Sequence, residues 1–136
     1  MSLQQLQPDE SFEKLYHSIF PEVTDKNGSF GNQSQWWQLV NTEGQMVAFC
    51  TTGVIINQKV AFLYNVGVNP QFRHQGWGTK MLSELFKTLP KYEFYLFVRQ
   101  DNQIAIHMYQ QLGFIPSPRS YVPPKGEICL KRLRRQ

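Results

Sequence analysis

The sequence predicts a mixed α/β domain, and three observations carry that reading. A short amphipathic helix opens the chain, and two apolar runs joined by a glycine-bearing turn then read as an antiparallel hairpin. A buried strand, a helix and a second buried strand follow in the order of a parallel crossover. A length of 136 residues with 41% apolar and 14% aromatic content suits one domain, residues 1–136, with a substantial core.

Taken in order, Phe12, Leu15, Tyr16, Ile19 and Phe20 recur at helical spacing, with Asp9 or Ser11 as N-cap and Pro21 as the stop. Glu22 to Gln35 lacks strong periodicity and reads as a loop or a short irregular helix. Trp36 to Asn41 reads as a strand, the stretch around Gly44 as a turn, and Met46 to Ile56 as the antiparallel partner. Asn57 to Lys59 makes the next turn. Val60 to Val68 is nearly all apolar, as in a central strand covered on both faces, and Gly67 near its end marks a bulge or a close ligand.

A second helix begins near Gly76, presents Met81, Leu82, Leu85, Phe86 and Leu89 to the core, and ends at Pro90. Tyr92 to Val98 is another continuous apolar strand. Asp101 or Asn102 caps a third helix that buries Ile104, Ala105, Met108 and Leu112 and stops at a left-handed Gly113. Phe114 starts a return strand, a loop rich in proline follows, and Glu127 to Leu133 closes the chain as a last strand.

No apolar run approaches the roughly 18 residues of a membrane span, and the first residues lack a basic start followed by an apolar stretch, so a soluble cytoplasmic protein is expected. Cys50 and Cys129 lie on strands away from any metal-ligand spacing and read as buried apolar fillers in a reducing compartment, with one disulfide as the alternative. His17 and His107 join no ligand cluster, so no metal is assigned. A net charge of +4 suits nucleic acid, an acidic membrane or a small polyanion alike. Lys125, Lys131, Arg132, Arg134 and Arg135 read as a solvated strand edge and tail. Nucleic acid is not expected as a partner, because the aromatic residues fall in core positions rather than between basic ones.

The segment Val66 to Thr79, VGVNPQFRHQGWGT, joins the buried strand to the second helix. A glycine-bearing turn at a helix start presents backbone N–H groups and the positive end of the helix dipole to one point, which suits a phosphate. Gly76 and Gly78 permit close approach, Thr79 adds a hydroxyl, and Arg73 brings a fork for phosphate. The plainer reading is a tight strand-to-helix connection. The dinucleotide and P-loop fingerprints both fail here, for want of a third glycine or a following Gly-Lys-Ser/Thr.

Arg73, His74, Gln75, Gly76, Trp77 and Gly78 resemble the coenzyme A motif of the GCN5-related N-acetyltransferases. A second motif of that family is matched by Asn102, Ala105, Ile106, Tyr109, Gly113 and Phe114. Alone, the second would be a capped helix with a glycine stop. The resemblance covers about Trp36 to Phe114. It implies a central, mostly antiparallel twisted sheet with helices on both faces and a parallel strand pair that splays apart, with the pantetheine arm of acetyl-CoA in the gap.

By the same resemblance, backbone groups at Val66 and Val68 pair with pantetheine. A backbone N–H near Val68 polarises the thioester oxygen, where attack builds negative charge. The diphosphate sits on the amides from Arg73 through Thr79, and His74 is a solvent-facing neighbour of it rather than a catalyst. Asn102 is both helix cap and cofactor contact. Tyr109 matches the general acid that protonates the departing thiolate; its other reading is a half-buried tyrosine packed on the sheet.

The implied activity is transfer of an acetyl group from acetyl-CoA to a primary amine, here that of a small molecule, by a monomer or homodimer. A peptide or protein acceptor is one alternative, and an acyl-CoA-binding module without turnover is another. A frequent position for the family's base carboxylate corresponds to Phe97, so no base carries over. Tyr64 and Asn65 are not carboxylates either, which leaves Glu22, Asp25, Glu43 or ordered water. Phe20, Phe30, Trp36, Trp37 and Tyr121 are candidates for aromatic walls of an amine pocket, and core packing explains them equally well.

Overall fold

A strand that the sequence does not announce, β1 (Ser2–Leu6), precedes the first helix and forms one edge of the sheet. It pairs antiparallel with β2 (Ser34–Val40), setting Leu3 opposite Leu39 and Leu6 opposite Trp36. Three of its five residues are exposed, so its own pattern is mostly polar and the hydrogen bonds of the β2 edge hold it in place. The computed structural model describes residues 2–20, 34–55, 59–117 and 121–134. The segment expected as an irregular loop over Glu22 to Gln35 therefore lies mostly outside the described residues.

Between β1 and β2 runs α1 (Glu10–Ile19), capped by Asp9 rather than Ser11: its carboxylate accepts from the Phe12 amide at 2.8 Å. Such a cap is worth about 1 kcal/mol. From β2 the chain turns at Gly44, whose φ of +81° suits glycine, into β3 (Met46–Ile55) and then β4 (Val60–Val68), each antiparallel to its predecessor. Next, α2 (Trp77–Thr88) crosses to β5 (Glu93–Arg99), which runs parallel to β4. After α3 (Gln103–Gln111), a two-residue β6 (Ile115–Pro116) and β7 (Glu127–Arg132) complete a seven-stranded sheet of order β1-β2-β3-β4-β5-β7-β6. The return strand begins at Ile115, because Phe114 is buried as a core side chain.

The larger core lies under α2 and α3, where Met81, Leu85 and Ile106 meet Leu39, Phe94 and Leu130 of the sheet. On the opposite face, Phe12 and Tyr16 of α1 pack on Trp36 and Phe49. A third cluster, Val60, Tyr95 and Cys129 with Phe62, Phe97 and Tyr121, lies beside it. Strand alternation places these last two clusters on one side, since Phe49, Thr51 and Gly53 share a face and the last two pair with Tyr64 and Phe62.

Two expectations change here. Ile104 is 87% exposed, and α3 buries Ile106 and Tyr109 instead. The reason is helical phase: Ile106, Tyr109 and Leu112 centre the packed face, and Ile104, about 200° from Ile106 at about 100° per residue, falls outside it. Asn102, not Asp101, caps the helix, accepting from the Ala105 amide at 3.2 Å. Arg132 is no solvated edge residue either: its Nε donates to the Leu112 carbonyl at 2.9 Å and its guanidinium lies 4.2 Å from the Phe86 ring centre, tying β7 to both helices. Arg134 pairs with Glu93 at 3.8 Å. Both cysteines are free and buried.

Candidate active site

The registers of β3 and β4 differ by one residue at the centre of the sheet. Phe49 pairs with Gly67 and Thr51 with Tyr64, so β4 uses one residue more than β3 and bulges between them. Asn65 takes up the extra length in the left-handed region, φ +54°. Its side chain is held from two elements. Tyr16 of α1 donates to Asn65 Oδ1 at 3.2 Å, and Asn65 Nδ2 donates to Thr51 Oγ1 at 3.4 Å.

Next to this bulge β4 leaves its parallel neighbour. The two strands pair only through Val60, Ala61 and Phe62, while β5 continues along β7 as far as Arg99 opposite Glu127. From Leu63 onward an open cleft of about 290 Å³ separates them. Leu63 to Val66 form one wall, and Leu96 and Phe97 the other. Val68 ends β4 at the mouth of the connection to α2. Gly67 flanks the bulge, as anticipated, and has a packing reason besides: a Cβ there would lie 2.5 Å from the Phe49 ring, beneath α1.

Pro70–Phe72 form a 3₁₀ turn whose first carbonyl, that of Asn69, accepts from the Phe72 amide at 2.8 Å. His74 (φ +64°) and Gly76 (φ +79°) then reverse the chain into α2. The helix's first bond runs from the Lys80 amide to the Gly76 carbonyl at 3.1 Å. Among the described residues, the amides from Gly76 to Thr79 show no hydrogen bond to the protein, as orphan donors of a helix N-terminus.

The side chains of this turn divide between structure and solvent. Arg73 donates through Nε to the Val68 carbonyl at 3.4 Å, leaving its two terminal nitrogens outward. Gln75 accepts from Trp77 Nε1 at 3.1 Å, and Lys80 lies 5.8 Å from the Trp77 ring centre. His74 and Thr79 are exposed. Gly78 is buried, with its Cβ position 3.3 Å from Val68, so α2 seats closely on the end of β4. Asn102 stands at the start of α3, exposed beyond its capping bond.

Tyr109 reaches the cleft from α3 and is 9% exposed, its ring edge-on to Phe114 at 5.6 Å. Burial pushes its phenol up to about 12, and the nearby Cys50 sulfur adds a smaller push in the same direction. The phenol therefore keeps its proton at neutral pH. Desolvation likewise raises the Cys50 thiol far above its ordinary range, so it stays un-ionised.

Of the aromatic wall candidates, Trp36 and Trp37 are core side chains, the latter donating to Thr52 Oγ1 at 3.0 Å, and Phe20 packs on Tyr16 and Phe49. Tyr121 does stand near the cleft, 4.8 Å from both Phe62 and Tyr95. Glu22, Asp25 and Phe30 lie outside the described residues, and Glu43 is exposed in the β2–β3 turn. Pro124 and Glu127 complete the lining of the cleft. Glu127, like Tyr16 and Asn65, was invisible as a site residue because no local pattern ties it to the turn or to Tyr109.

Comparison with known proteins agrees with this geometry. The profile of the Acetyltransferase (GNAT) family matches residues 2–114. The [ribosomal protein bS18]-alanine N-acetyltransferase of Escherichia coli K12 is 36% identical over 85 residues, which are 59% of this chain and 56% of that protein. The chain thus spans a little over half the length of the curated relatives it matches first. The crystal structure of the ribosomal-protein-S18-alanine N-acetyltransferase from Escherichia coli superposes with a TM-score of 0.72 at 25% identity, covering 99% of this chain and 96% of that one. Spermidine N-acetyltransferase from Vibrio cholerae, in complex with CoA and spermine, shares the fold at a TM-score of 0.71 and 12% identity, covering 96% and 92%. With the family profile spanning the sheet from β1 to the end of α3, the chain belongs to the GNAT acetyltransferase family.

Proposed function

We propose that the protein is an N-acetyltransferase that carries the acetyl group of acetyl-CoA to a primary amine by direct attack. The observation that supports this most strongly is the splay of β4 from β5, with unbonded helix-start amides from Gly76 to Thr79 at one end and Tyr109 in its wall. In this reading the pantetheine arm lies along the β4 edge at Val66 and Val68, where no β5 partner competes. The diphosphate takes the amides of Arg73, His74, Gln75, Gly76, Trp77, Gly78 and Thr79, with the outer nitrogens of Arg73 beside it. Asn102 contributes a polar contact at the start of α3.

Attack by the amine forms the C–N bond and places negative charge on the thioester oxygen, which a β4 backbone N–H near Val68 stabilises. Collapse breaks the C–S bond, and the neutral phenol of Tyr109 donates its proton to the sulfur. A cytoplasmic setting belongs to the same proposal and suits two free thiols.

The acceptor in this reading is a small amine, drawn to the aromatic side chains around Phe62 and Tyr121. A second acceptor, the α-amine of a protein beginning with alanine, is favoured by the 36% identity to the bS18-alanine enzyme. Acetyl-CoA should raise the melting temperature well above the effect of equal adenosine. Its consumption should then be followed against spermidine, amino acids, aminoglycosides and alanine-first peptides. Equal shifts from adenosine and acetyl-CoA, with no amine consumed, would refute the proposal.

A further inference from the structure

The cleft perforates the sheet, and its two faces carry different chemistry. Tyr109 enters from the side of α2 and α3, among Leu96, Ile106 and Phe114. On the other side stand the rings of Phe62, Tyr64, Phe97 and Tyr121: Phe62 stacks on Tyr64 at 6.1 Å and lies 6.2 Å from Phe97. Tyr64 remains 42% exposed, so this panel faces solvent rather than a closed core. Along β7, Cys129 pairs with Phe97 and Glu127 with Arg99, and strand alternation puts Glu127 on the same face as Cys129 and that panel. Glu127 is also the only carboxylate among the described residues that line the cleft.

We propose that Glu127 is the proton acceptor of this acetyltransferase, delivering from β7 the carboxylate that β5 lacks at Phe97. The assignment rests on the acetyl-transfer reading above. A protonated amine approaching from the aromatic face meets ring faces and a carboxylate together, which both attract a cation. One N–H proton passes to Glu127 Oε as nitrogen attacks the thioester carbon. The nitrogen's other excess proton leaves to solvent, while Tyr109 protonates sulfur from the opposite side. Release of the Glu127 proton and reprotonation of Tyr109 restore the enzyme, and the balance is ammonium plus acetyl-CoA giving amide, CoA thiol and one proton.

The Glu127 carboxylate is available for this task. Its backbone amide is anchored to the Pro124 carbonyl at 3.0 Å, and among the described residues no ion pair or side-chain hydrogen bond engages the carboxylate itself. The charged and titratable groups around it are Arg99 opposite, whose fork holds Asp101 at 3.2 and 3.3 Å, Lys125 two residues before it, and the phenols of Tyr64 and Tyr109 in the cleft.

The test uses acetyl-CoA with spermidine and with an alanine-first tripeptide as probes. Glu127→Gln should lower kcat/KM by about a hundredfold or more, while the melting shift given by acetyl-CoA is kept. Phe97→Glu in the Glu127→Gln background should recover a substantial part of the rate by restoring a carboxylate to the same face. Wild-type turnover matched by Glu127→Gln at every pH overturns Glu127 alone. A wild type that binds acetyl-CoA but acetylates no amine overturns the acetyl-transfer reading, and this assignment with it.

Discussion

Tyr16, wholly buried in α1, donates its hydroxyl to Asn65 Oδ1 at 3.2 Å, across 49 positions of sequence. The bond joins the first helix to the bulge that parts β4 from β5. Asn65 would not hold φ +54° in a strand without cost, and the amide's bonds to Tyr16 and Thr51 help stabilise that conformation.

Tyr16→Phe keeps the ring and removes this bond, leaving a partly buried acceptor poorly satisfied. Urea unfolding should show a loss of about 1–2 kcal/mol. Because the bulge shapes the cleft, KM for acetyl-CoA should rise more than kcat falls. A KM equal to that of the wild type would separate α1 from the geometry of the cleft.

If the phenol protonates the leaving sulfur as proposed, Tyr109→Phe should reduce turnover about a hundredfold while leaving acetyl-CoA affinity nearly unchanged. The same group links stability to pH. Its folded value, about 12, lies above the ordinary 10.0, so the folded state holds a proton that the unfolded state releases between the two. The stability due to the neutral buried phenol is complete below pH 10 and is lost as pH rises toward 12, at about 1.4 kcal/mol per pH unit. Denaturation midpoints measured from pH 9 upward should fall less steeply in Tyr109→Phe, with Cys50 still contributing a slope of the same sign.

Two glycine-to-alanine changes should differ in kind. At Gly67 the new methyl meets the Phe49 ring, and overpacking should cost about 1–3 kcal/mol. The double variant Gly67→Ala with Phe49→Leu should lose less than the sum of the two single changes. At Gly76 nothing lies within 4 Å of the added Cβ, but φ is +79°, so the cost is backbone strain of about 1–2 kcal/mol. No trimming of a neighbour should relieve it, and acetyl-CoA binding should weaken with the turn.

Native protein should show no rapidly alkylated thiol, because Cys50 and Cys129 are buried and burial raises both. Iodoacetamide should label both only after denaturation. Fast labelling at either position in the folded state would contradict the packing of β3 or β7.

Much of this architecture was legible in the chain because it is written in short-range patterns. The period of Met81, Leu82, Leu85 and Phe86 specifies a buried helix face, and the glycines around Trp77 specify the turn before it. Where two local readings were nearly equal, the pattern misled. Ile104 and Ile106 are both apolar and two positions apart, and the packing of Ile106 with Tyr109 on the sheet decides which of them turns inward.

The order of the central strands and helices and the glycine-bearing turn before α2 were set by periodicity, capping and turn chemistry within a few residues, while Tyr109 stood out only by the resemblance of its helix to a family motif. Tertiary structure alone decided that β1 joins the sheet edge, that Tyr16 holds the bulge, that Gly67 yields to Phe49, that Arg132 braces two helices, and that Glu127 shares a cleft with Tyr109. Each of these unites side chains distant along the chain, and such contacts come from packing and strand register, which no local window contains.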